Sequence, residues 1–427
     1  MMSTSSSVRA VHCIGACAVA LALASGVLHA AEFKVLQPLG NEPMAVKKGM
    51  LPHGGYYVPS TPNTVRWGSL PGPDAKAVLT VPSGSTVTID TVSHEGVLED
   101  QGKDPVKFFG KYGIKPDQVL KDAQAIAASS VPHDFAKDGP HVVTGPVAVE
   151  GAKAGDVLKI EIIALQPRVP YGVISNRHGK GALPGEFPET PKPEADASAT
   201  QPDKYHNVFR FTPIREIAGK WYGIVRSDNG KEARIPLHPF NGTMGVAIKK
   251  TEKSSSVPPG EYGGNLDLNE MTTGVGAVLY LPIQVDGGMF YAADPHFVQG
   301  DGEVALTALE GSLRSTFRLT VLKQNDPALP MPSPMKSPYA ETRDYLIPIG
   351  LNEDLDEAMK EAVRQAVAVL QHRYGMDRAT ALAYLSAGSD FQVTQVVDKV
   401  KGVNGMIRKA DFVGGASAKT AKAAKKK

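Results

Sequence analysis

Residues 312–322 alternate between apolar and polar side chains over most of their length. The apolar positions are Leu313, Phe317, Leu319 and Val321, and the polar positions include Arg314, Arg318 and Thr320. Because successive side chains of a β-strand point to opposite faces, this segment is predicted to be a strand with one buried face. Strand-like composition recurs at residues 77–81, 85–92, 142–149, 157–165, 244–248, 277–285 and 304–309. The chain is therefore predicted to be mainly β, with packed β-sandwich and barrel lobes and a helical C-terminal element.

Composition divides the 427 residues into six segments. We predict a secretory signal at residues 1–31, an N-terminal β lobe with one helix at 32–170, a polar insert with a hairpin at 171–234, a second β lobe at 235–326, a linker with C-terminal helices at 327–412, and a lysine-rich disordered tail at 413–427. The hairpin is indicated by Asn229-Gly230, a dipeptide typical of tight β-turns. The insert is expected to cap the functional site.

Four parts of the chain show the helical spacing of apolar residues. In the N-terminal lobe, Pro116 suits a first helical turn, and the pattern predicts a helix over residues 116–129. From Asn352 onward the apolar residues line one helical face, and Asp377 is placed to cap a second helix over residues 378–387. A third C-terminal helix is predicted to begin at Ser389-Asp390. These C-terminal helices are expected to form a packing and assembly element.

The first 31 residues resemble a bacterial signal peptide. Arg9 gives a positive start, residues 13–28 are apolar but short for a bilayer span, and residues 29–31 offer small side chains for cleavage. We therefore predict export to the periplasm or beyond, with no membrane attachment after cleavage. The two cysteines, Cys13 and Cys17, both lie in this leader, so metal ligands in the mature chain must be His, Asp, Glu or Asn.

Charge and missing motifs exclude several function classes. The formal net charge is +2, and the leader and the tail contribute only positive charges to it. Nucleic-acid binding requires a basic face rather than basic ends, so no nucleic-acid partner is expected. The sequence contains no Gly-x-Ser-x-Gly elbow, no P-loop and no dinucleotide fingerprint, and the mature chain has no cysteine nucleophile.

Residues 293–304 read Ala-Asp-Pro-His-Phe-Val-Gln-Gly-Asp-Gly-Glu-Val and follow closely after an apolar segment. They contain three carboxylates, Asp294, Asp301 and Glu303, together with His296 and Gln299. Carboxylates this close repel one another unless a positive charge lies among them, and a bound divalent cation is the usual source of that charge. The alternative is a solvated hairpin loop in which Gly-Asp-Gly turns the chain.

Other candidate site residues lie at the ends of predicted strands or in tight loops. His94-Glu95 follows a predicted strand. Either His94 is a ligand with Glu95 as its partner, or the pair forms a turn in which the imidazole is solvated. Asp267 ends the glycine-rich loop of residues 263–267, where it either caps the next short stretch or binds a cation. His141 precedes a Thr-Gly-Pro sequence and is either a site residue or an ordinary loop residue.

Five segments, which follow the family's order along the chain, together resemble the acetamidase/formamidase family. Residues 294–310, DPHFVQGDGEVALTALE, are similar to the family's Gly-Asp-x-His-x-x-Gln-Gly-Asp-Gly-Glu run. The other similar segments are His-Val-Val-Thr-Gly-Pro-Val from His141 with Gly-Ala-Lys-Ala-Gly-Asp-Val-Leu from Gly151, His-Pro-Phe-Asn-Gly-Thr-Met-Gly from His238, and Gly-Gly-Asn-Leu-Asp from Gly263. The resemblance covers residues 78–412. The chain departs from the family at Ala293, where glycine is usual, and in the insert at residues 171–234.

The resemblance implies hydrolysis of a small amide, similar to formamide or acetamide, to a carboxylic acid and ammonia in a divalent-metal site. The residues expected to bind the metal are Asp294, His296, Asp267 and His141. We expect zinc, with calcium as the alternative, and the resemblance also implies a homodimer.

Within such a site Glu303 is predicted to be the catalytic proton carrier, because neighbouring acidic groups should raise its pKa. Asp301 is predicted to orient Glu303 or to join the metal ligands. The predicted substrate contacts are His94, Glu95, Gln299, Asn265 and His238. A second hypothesis is an exported, non-catalytic ligand-binding β protein whose acidic loops hold a structural metal ion.

Overall fold

The computed structural model describes residues 33–47 and 49–413. The predicted signal peptide at residues 1–31 lies outside them, and so does the predicted tail apart from Val413. Within the described part of the chain, no helix combines the length and the apolar character needed to cross a membrane.

Most of the regular structure is β. The strands of the first half are β1 (Met44–Ala45), β2 (Tyr56–Val58), β3 (Val65–Trp67), β4 (Leu79–Val81), β5 (Ser85–Thr91), β6 (Val142–Val149), β7 (Val157–Pro167), β8 (Tyr171–Asn176), β9 (Val208–Ile217), β10 (Lys220–Arg226) and β11 (Glu232–Pro236). Those of the second half are β12 (Phe240–Gly245), β13 (Gly263–Asn265), β14 (Val278–Pro282), β15 (Phe290–Val298), β16 (Leu309–Glu310), β17 (Leu313–Leu322), β18 (Tyr339–Glu341), β19 (Tyr345–Asn352), β20 (Asp390–Gln395) and β21 (Lys401–Arg408).

The helices are fewer and lie mostly near the C-terminus. They are α1 (Pro105–Gly110), α2 (Lys121–Ala127), α3 (Leu355–Tyr374) and α4 (Arg378–Gly388), with short 3₁₀ turns at Glu99–Gln101, Pro116–Gln118, Pro202–Tyr205 and Lys409–Asp411. The prediction of a mainly β fold with a helical C-terminal element is confirmed.

The strands form two large sheets. The first has ten strands in the order β1-β2-β5-β17-β7-β14-β18-β19-β21-β20. The second has eleven strands, of which eight follow the order β11-β10-β9-β8-β16-β15-β12-β13. The other three join through β6, which pairs with β15 and also with β3 and β4. The strand predicted over residues 312–322 is β17, which pairs with β5 and β7. The strand predicted over residues 304–309 is wrong, because Glu303 and Leu306 have left-handed backbone (φ 45° and 113°) that turns residues 304–308 into a loop.

Large apolar side chains hold the two sheets face to face. Phe317 of β17 and Phe290 of β15 meet edge to face, with ring centroids 5.2 Å apart. Both rings are fully buried and belong to the same apolar cluster as Ile89 of β5, Leu158 of β7 and Phe240 of β12. Each buried side chain of this size stabilises the fold by roughly 1.5–3 kcal/mol. This core fixes β15, on which the candidate site is built.

The C-terminal part differs from its prediction in one element. Asp377 caps α4 as expected, and its Oδ1 accepts hydrogen bonds from the backbone N–H groups of Ala379 and Thr380 at 3.0 Å. The third helix is wrong, since residues 390–395 form β20, which pairs with β21. Val393 and Thr394 are β-branched and have a partner strand beside them, so strand pairing outweighs the helical spacing of the apolar residues.

The predicted N-terminal helix is shorter than residues 116–129. Pro116 opens a 3₁₀ turn, and Val119 is extended at φ −88° and ψ 137°, so α2 begins only at Lys121. Helix α1 was not predicted, although Asp104 caps it and Pro105 occupies its first position.

The insert extends the second sheet as an antiparallel series from β8 to β11. The predicted hairpin is formed by β10 and β11, whose last pair is Arg226 with Glu232. Its connection is the longer loop 227–231, closed by a hydrogen bond from Ser227 N to Lys231 O, with Gly230 at φ 80°. The flexible backbone of Gly230 therefore serves a wider loop than the two-residue turn that Asn-Gly usually indicates.

A buried ion network ties the N-terminal segment to the first sheet. Arg168 is fully buried, and its Nη1 lies 2.7 Å from Asp122 Oδ2 while its Nη2 lies 3.4 Å from Asp90 Oδ2. Arg314 binds Asp90 through two nitrogens at 2.7 and 2.8 Å and donates to Gln37 O. Because these charged groups are buried away from water, the stability of each one depends on its oppositely charged partners.

We expect Arg168→Leu to lower the free energy of unfolding by about 3–5 kcal/mol, since it leaves Asp122 buried without its cation. Urea denaturation followed by circular dichroism measures the change. Arg318→Leu is the control, because that side chain is 46% exposed and 3.9 Å from Glu161, and we expect an effect below about 1 kcal/mol. Equal losses in the two variants would contradict the stabilising role of the network.

Candidate metal centre and cavity

Strand β15 carries Asp294 and His296 into the interior of the second sheet. The Oδ2 of Asp294 lies 3.1 Å from His296 Nε2. His296 is the register partner of Glu310 on β16, and its Nε2 lies 3.1 Å from Glu310 Oε1. All three side chains are buried. This part of the acidic stretch is therefore a paired, buried strand and not a solvated loop.

Four further side chains reach β15 from connections between strands. His94 follows β5, His141 immediately precedes β6, Asp267 follows β13, and Glu303 lies in the loop between β15 and β16. All four are buried. We call the following seven residues the central cluster: His94, His141, Asp267, Asp294, His296, Glu303 and Glu310.

Asp294 is the side chain around which the central cluster is arranged. Its Oδ1 lies 3.5 Å from His94 Nδ1 and 3.6 Å from His141 Nε2. Its Oδ2 contacts His296, whose other ring nitrogen, Nδ1, lies 3.9 Å from Asp267 Oδ1. The structure thus brings together at one point all four residues that were expected to bind metal.

Several polar atoms of the central cluster are buried without a hydrogen-bond partner among the described residues. They are both ring nitrogens of His94 and of His296, both carboxylate oxygens of Asp267, Oδ1 of Asp294 and Oε2 of Glu310. Leaving a buried polar group unpaired costs roughly 1–3 kcal/mol, and more if it is charged. Imidazole nitrogens and carboxylate oxygens are ligands that zinc and similar divalent cations bind. The donor set therefore fits a metal ion.

The backbone of β12 forms the base of the central cluster at Gly242. A Cβ atom at this position would lie 2.3 Å from Asp267 Oδ1, 2.7 Å from His296 Cε1 and 2.8 Å from Asp294 Oδ2. No side chain larger than hydrogen fits, so glycine is required here by close approach.

Three acidic residues of the central cluster have left-handed backbone. The φ angles are 52° at Asp267, 50° at Asp294 and 45° at Glu303. This conformation costs a residue with a Cβ roughly 1–2 kcal/mol, and such strain is often found at functional sites. The surrounding fold must therefore hold these three side chains in place.

Burial raises the pKa of several carboxyl groups in the central cluster. It raises the pKa of Asp267 to about 6 and that of Glu310 to about 7, while His296 partly opposes both shifts. Burial, together with Asp267, raises the pKa of Glu303 well above its usual range. Glu303 is therefore suited to hold a proton near neutral pH.

The pKa values of His94 and His141 are shifted in opposite directions. Burial alone would lower the pKa of His94, but the nearby carboxylates of Asp294 and Glu95 raise it to about 10. Burial lowers the pKa of His141 to about 4. The Nδ1 of His141 lies 3.0 Å from Ser256 Oγ and 3.2 Å from the carbonyl oxygen of Ser256. In the tautomer whose Nδ1 donates to this carbonyl, Nε2 is free to bind a cation.

A cavity of about 350 Å³ lies against the central cluster. Cluster residues that line it are His94, His141, Asp294, Glu303 and Glu310. Its other walls include Phe135 and Val257, the insert residues His178 and Tyr205, and Leu306, Val397 and Asp398. The walls combine apolar side chains with polar groups that converge on one space, as in small-molecule sites, and the insert supplies part of one wall.

Glu95 supports His94 from behind. Its Oε1 lies 3.2 Å from His94 Nε2 and accepts hydrogen bonds from Ser175 Oγ at 2.5 Å and from Arg177 Nη1 at 3.0 Å. The Nε of Arg177 donates to Asp100 at 2.7 Å. Glu95 is not among the residues that line the cavity, so its contacts orient the imidazole, and Arg177 links the insert to this support.

The remaining predicted site residues lie in different places. Asn265 lines the cavity. Gln299 is buried and donates to the carbonyl oxygen of Thr394 at 3.0 Å, beside the cluster rather than in it. Asp301 is exposed, because the left-handed turn at Gly302 directs only the following glutamate inward. His238 is also exposed and is not brought to the site.

Two site residues were not predicted. Glu310 ends the segment DPHFVQGDGEVALTALE, and only its pairing opposite His296 brings it to the cluster. Asp398 lines the cavity, and burial and Asp267 raise its pKa well above the usual range. It lies in a segment that was predicted to be helical. Glu310 could have been predicted by assuming that residues 309–310 pair antiparallel with residues 290–298, which sets Glu310 opposite His296. No sequence signal indicated Asp398.

Ala293, which stands where glycine was expected, is accommodated without strain. Its side chain is fully buried in a small apolar cluster with Leu70, Val143, Ile248 and Tyr291. Its backbone φ is not positive, so the methyl group is tolerated.

The fold and site define a two-sheet β protein with a buried imidazole and carboxylate centre beside a cavity. A profile of the Acetamidase/Formamidase family matches residues 123–406. The chain therefore belongs to the acetamidase/formamidase family.

Individual relatives agree with this assignment. The chain is 27% identical over 201 residues to an acetamidase of Mycolicibacterium smegmatis, covering 38% of this chain and 49% of the relative. It is 26% identical over 254 residues to a formamidase of Methylophilus methylotrophus, covering 52% of this chain and 61% of the relative. The match thus spans only about half to three fifths of these relatives' length. The crystal structure of an acetamidase from Bacillus halodurans has the same fold, with a TM-score of 0.61 and 24% identity over 83% of this chain and 98% of that one.

Proposed function

We propose that the chain hydrolyses the carbon–nitrogen bond of a small carboxamide, giving a carboxylic acid and ammonia. The observation that carries the proposal is the set of buried, unpartnered imidazole and carboxylate atoms beside a cavity. The acetamidase and formamidase relatives support the choice of an amide as substrate.

The site is proposed to bind divalent metal through His94, His141, Asp294 and His296, with Asp267 and Glu310 beside them. Three imidazoles favour zinc over calcium, because calcium prefers oxygen ligands. When bound, such a cation would polarise the amide carbonyl and promote the ionisation of water, which are the usual contributions of a metal to hydrolysis.

Glu303 is proposed to move the proton that the reaction requires. Water adds its oxygen to the carbonyl carbon, the carbon–nitrogen bond breaks, and the nitrogen must gain a proton to leave as ammonia. Burial and the acids around Glu303 favour its protonated form, so it can donate to the leaving nitrogen and recover a proton from water. Glu303 lines the cavity, which supports a position beside a bound amide.

The function is tested by measuring ammonia release from formamide, acetamide and larger amides before and after treatment with a chelator. We expect turnover, loss of most of the activity on chelation, and recovery when zinc is returned. If chelation lowers the melting temperature but no amide is hydrolysed, the non-catalytic binding protein with a structural ion is the better description. Turnover that survives complete metal removal would exclude the proposed role of the cation.

A further inference from the structure

We propose that the central cluster binds two cations, with Asp294 and Glu310 each spanning the pair. This inference rests on the metal part of the proposed function, and it adds the number of ions and a role for Glu310. The cluster has two sides. His94 and His141 lie on one side, and His296 lies on the other.

Asp294 presents one oxygen to each side. Its Oδ1 faces His94 Nδ1 at 3.5 Å and His141 Nε2 at 3.6 Å. Its Oδ2 faces His296 Nε2 at 3.1 Å. Two ligands held at about 2.1 Å from one ion are themselves roughly 3–3.5 Å apart. Each oxygen of Asp294 thus has the separation from its own histidine nitrogens that ligands of a common ion have.

Glu310 faces the same two sides, with a longer contact on the His94 side. Its Oε1 lies 3.1 Å from His296 Nε2, and its Oε2 lies 4.0 Å from His94 Nδ1. The Oε2 atom is buried and has no partner among the described residues. Two carboxylates therefore each turn one oxygen to the His296 side and one to the His94 side, which is the pattern of groups that bridge two ions.

The number of ligands also favours two ions. A tetrahedral zinc ion uses four ligands, whereas the cluster contains three imidazoles and four carboxyl groups. With one ion on the His94 side, a second ion gives the buried, unpartnered Nε2 atom of His296 a ligand role.

The decisive measurement is the number of ions per chain. Metal-free protein is titrated with zinc, dialysed, and examined by native mass spectrometry and elemental analysis. We expect two zinc ions per chain, and a plateau at one ion would overturn the inference. This measurement uses only the unaltered protein and does not depend on how any variant folds.

Variants then test whether the two sides are separate. His141→Ala and His296→Ala are each expected to retain one ion, with folding checked by circular dichroism. His238→Ala is the matched control, because that histidine is exposed and belongs neither to the cavity lining nor to a group of candidate metal ligands, and this variant should retain two ions. If either cluster variant loses all metal, or if both still bind two ions, the division into two sides is wrong.

Parallel ammonia assays separate this inference from the proposed function. Turnover by a protein that holds one ion would overturn the two-ion site and leave amide hydrolysis standing. Two bound ions without turnover of any amide would keep the two-ion site and exclude the hydrolase.

Discussion

Glu303→Gln is expected to lower kcat for ammonia release by about 10²- to 10⁴-fold, the usual contribution of a positioned proton carrier. Glutamine has nearly the shape of protonated glutamate, but its carboxamide cannot release and regain a proton as a carboxyl group does. Glu303 is buried, and burial with Asp267 raises its pKa well above the ordinary range. A neutral amide in its place should therefore leave the fold and the bound metal unchanged. Steady-state kinetics with elemental analysis of the same sample measures both.

Asp301→Asn is the matched control for this variant. Asp301 lies two positions away in the same loop but is exposed, and its Oδ1 accepts a hydrogen bond from Asn269 Nδ2 at 2.9 Å. We expect kcat to change by less than about twofold, as for a group outside the site. Near-normal activity of Glu303→Gln would remove Glu303 from proton transfer, and loss of its metal would make Glu303 a ligand instead.

The second large effect is expected for Gly242→Ala, which should abolish metal binding and with it ammonia release. The added methyl group would lie 2.3 Å from Asp267 Oδ1 and 2.8 Å from Asp294 Oδ2, far inside van der Waals contact. Both acids are buried and have left-handed backbone, so neither can move aside easily. We also expect a loss of about 1–3 kcal/mol in the free energy of unfolding from overpacking.

Gly300→Ala is the control for this second variant. It makes the same chemical change close to the central cluster, but a Cβ there would meet no atom within 4 Å. Zinc titration followed by calorimetry should show normal binding for Gly300→Ala and none for Gly242→Ala. Normal zinc binding by Gly242→Ala would show that the cluster adapts to the methyl group and that its geometry is not set by β12.

Much of the site could be predicted because its chemistry is dense in the sequence. Asp294, His296 and Glu303 lie within ten positions, and repulsion among their charges already indicates a cation. The β class followed from the alternation at residues 312–322, which reflects the simple geometry of a strand with one buried face. Local rules of this kind need no knowledge of which strands are neighbours.

The parts that were not predicted depend on pairing between distant segments. Glu310 enters the cluster only because β16 lies beside β15 in one particular register. Asp301 and Glu303 are chemically alike in the sequence, and the turn between them decides which one is buried. Asp398 follows β20, whose apolar residues also fit a helix, and only the partner strand β21 resolves that ambiguity.

The left-handed backbone at Asp267, Asp294 and Glu303 has a consequence for protein engineering. Glycine or asparagine adopts this conformation with less strain, so screens that select for heat resistance alone should favour these replacements at positions whose acids the proposed function requires. A thermostable variant of this chain is therefore best sought by mutating elsewhere and keeping these three positions constant.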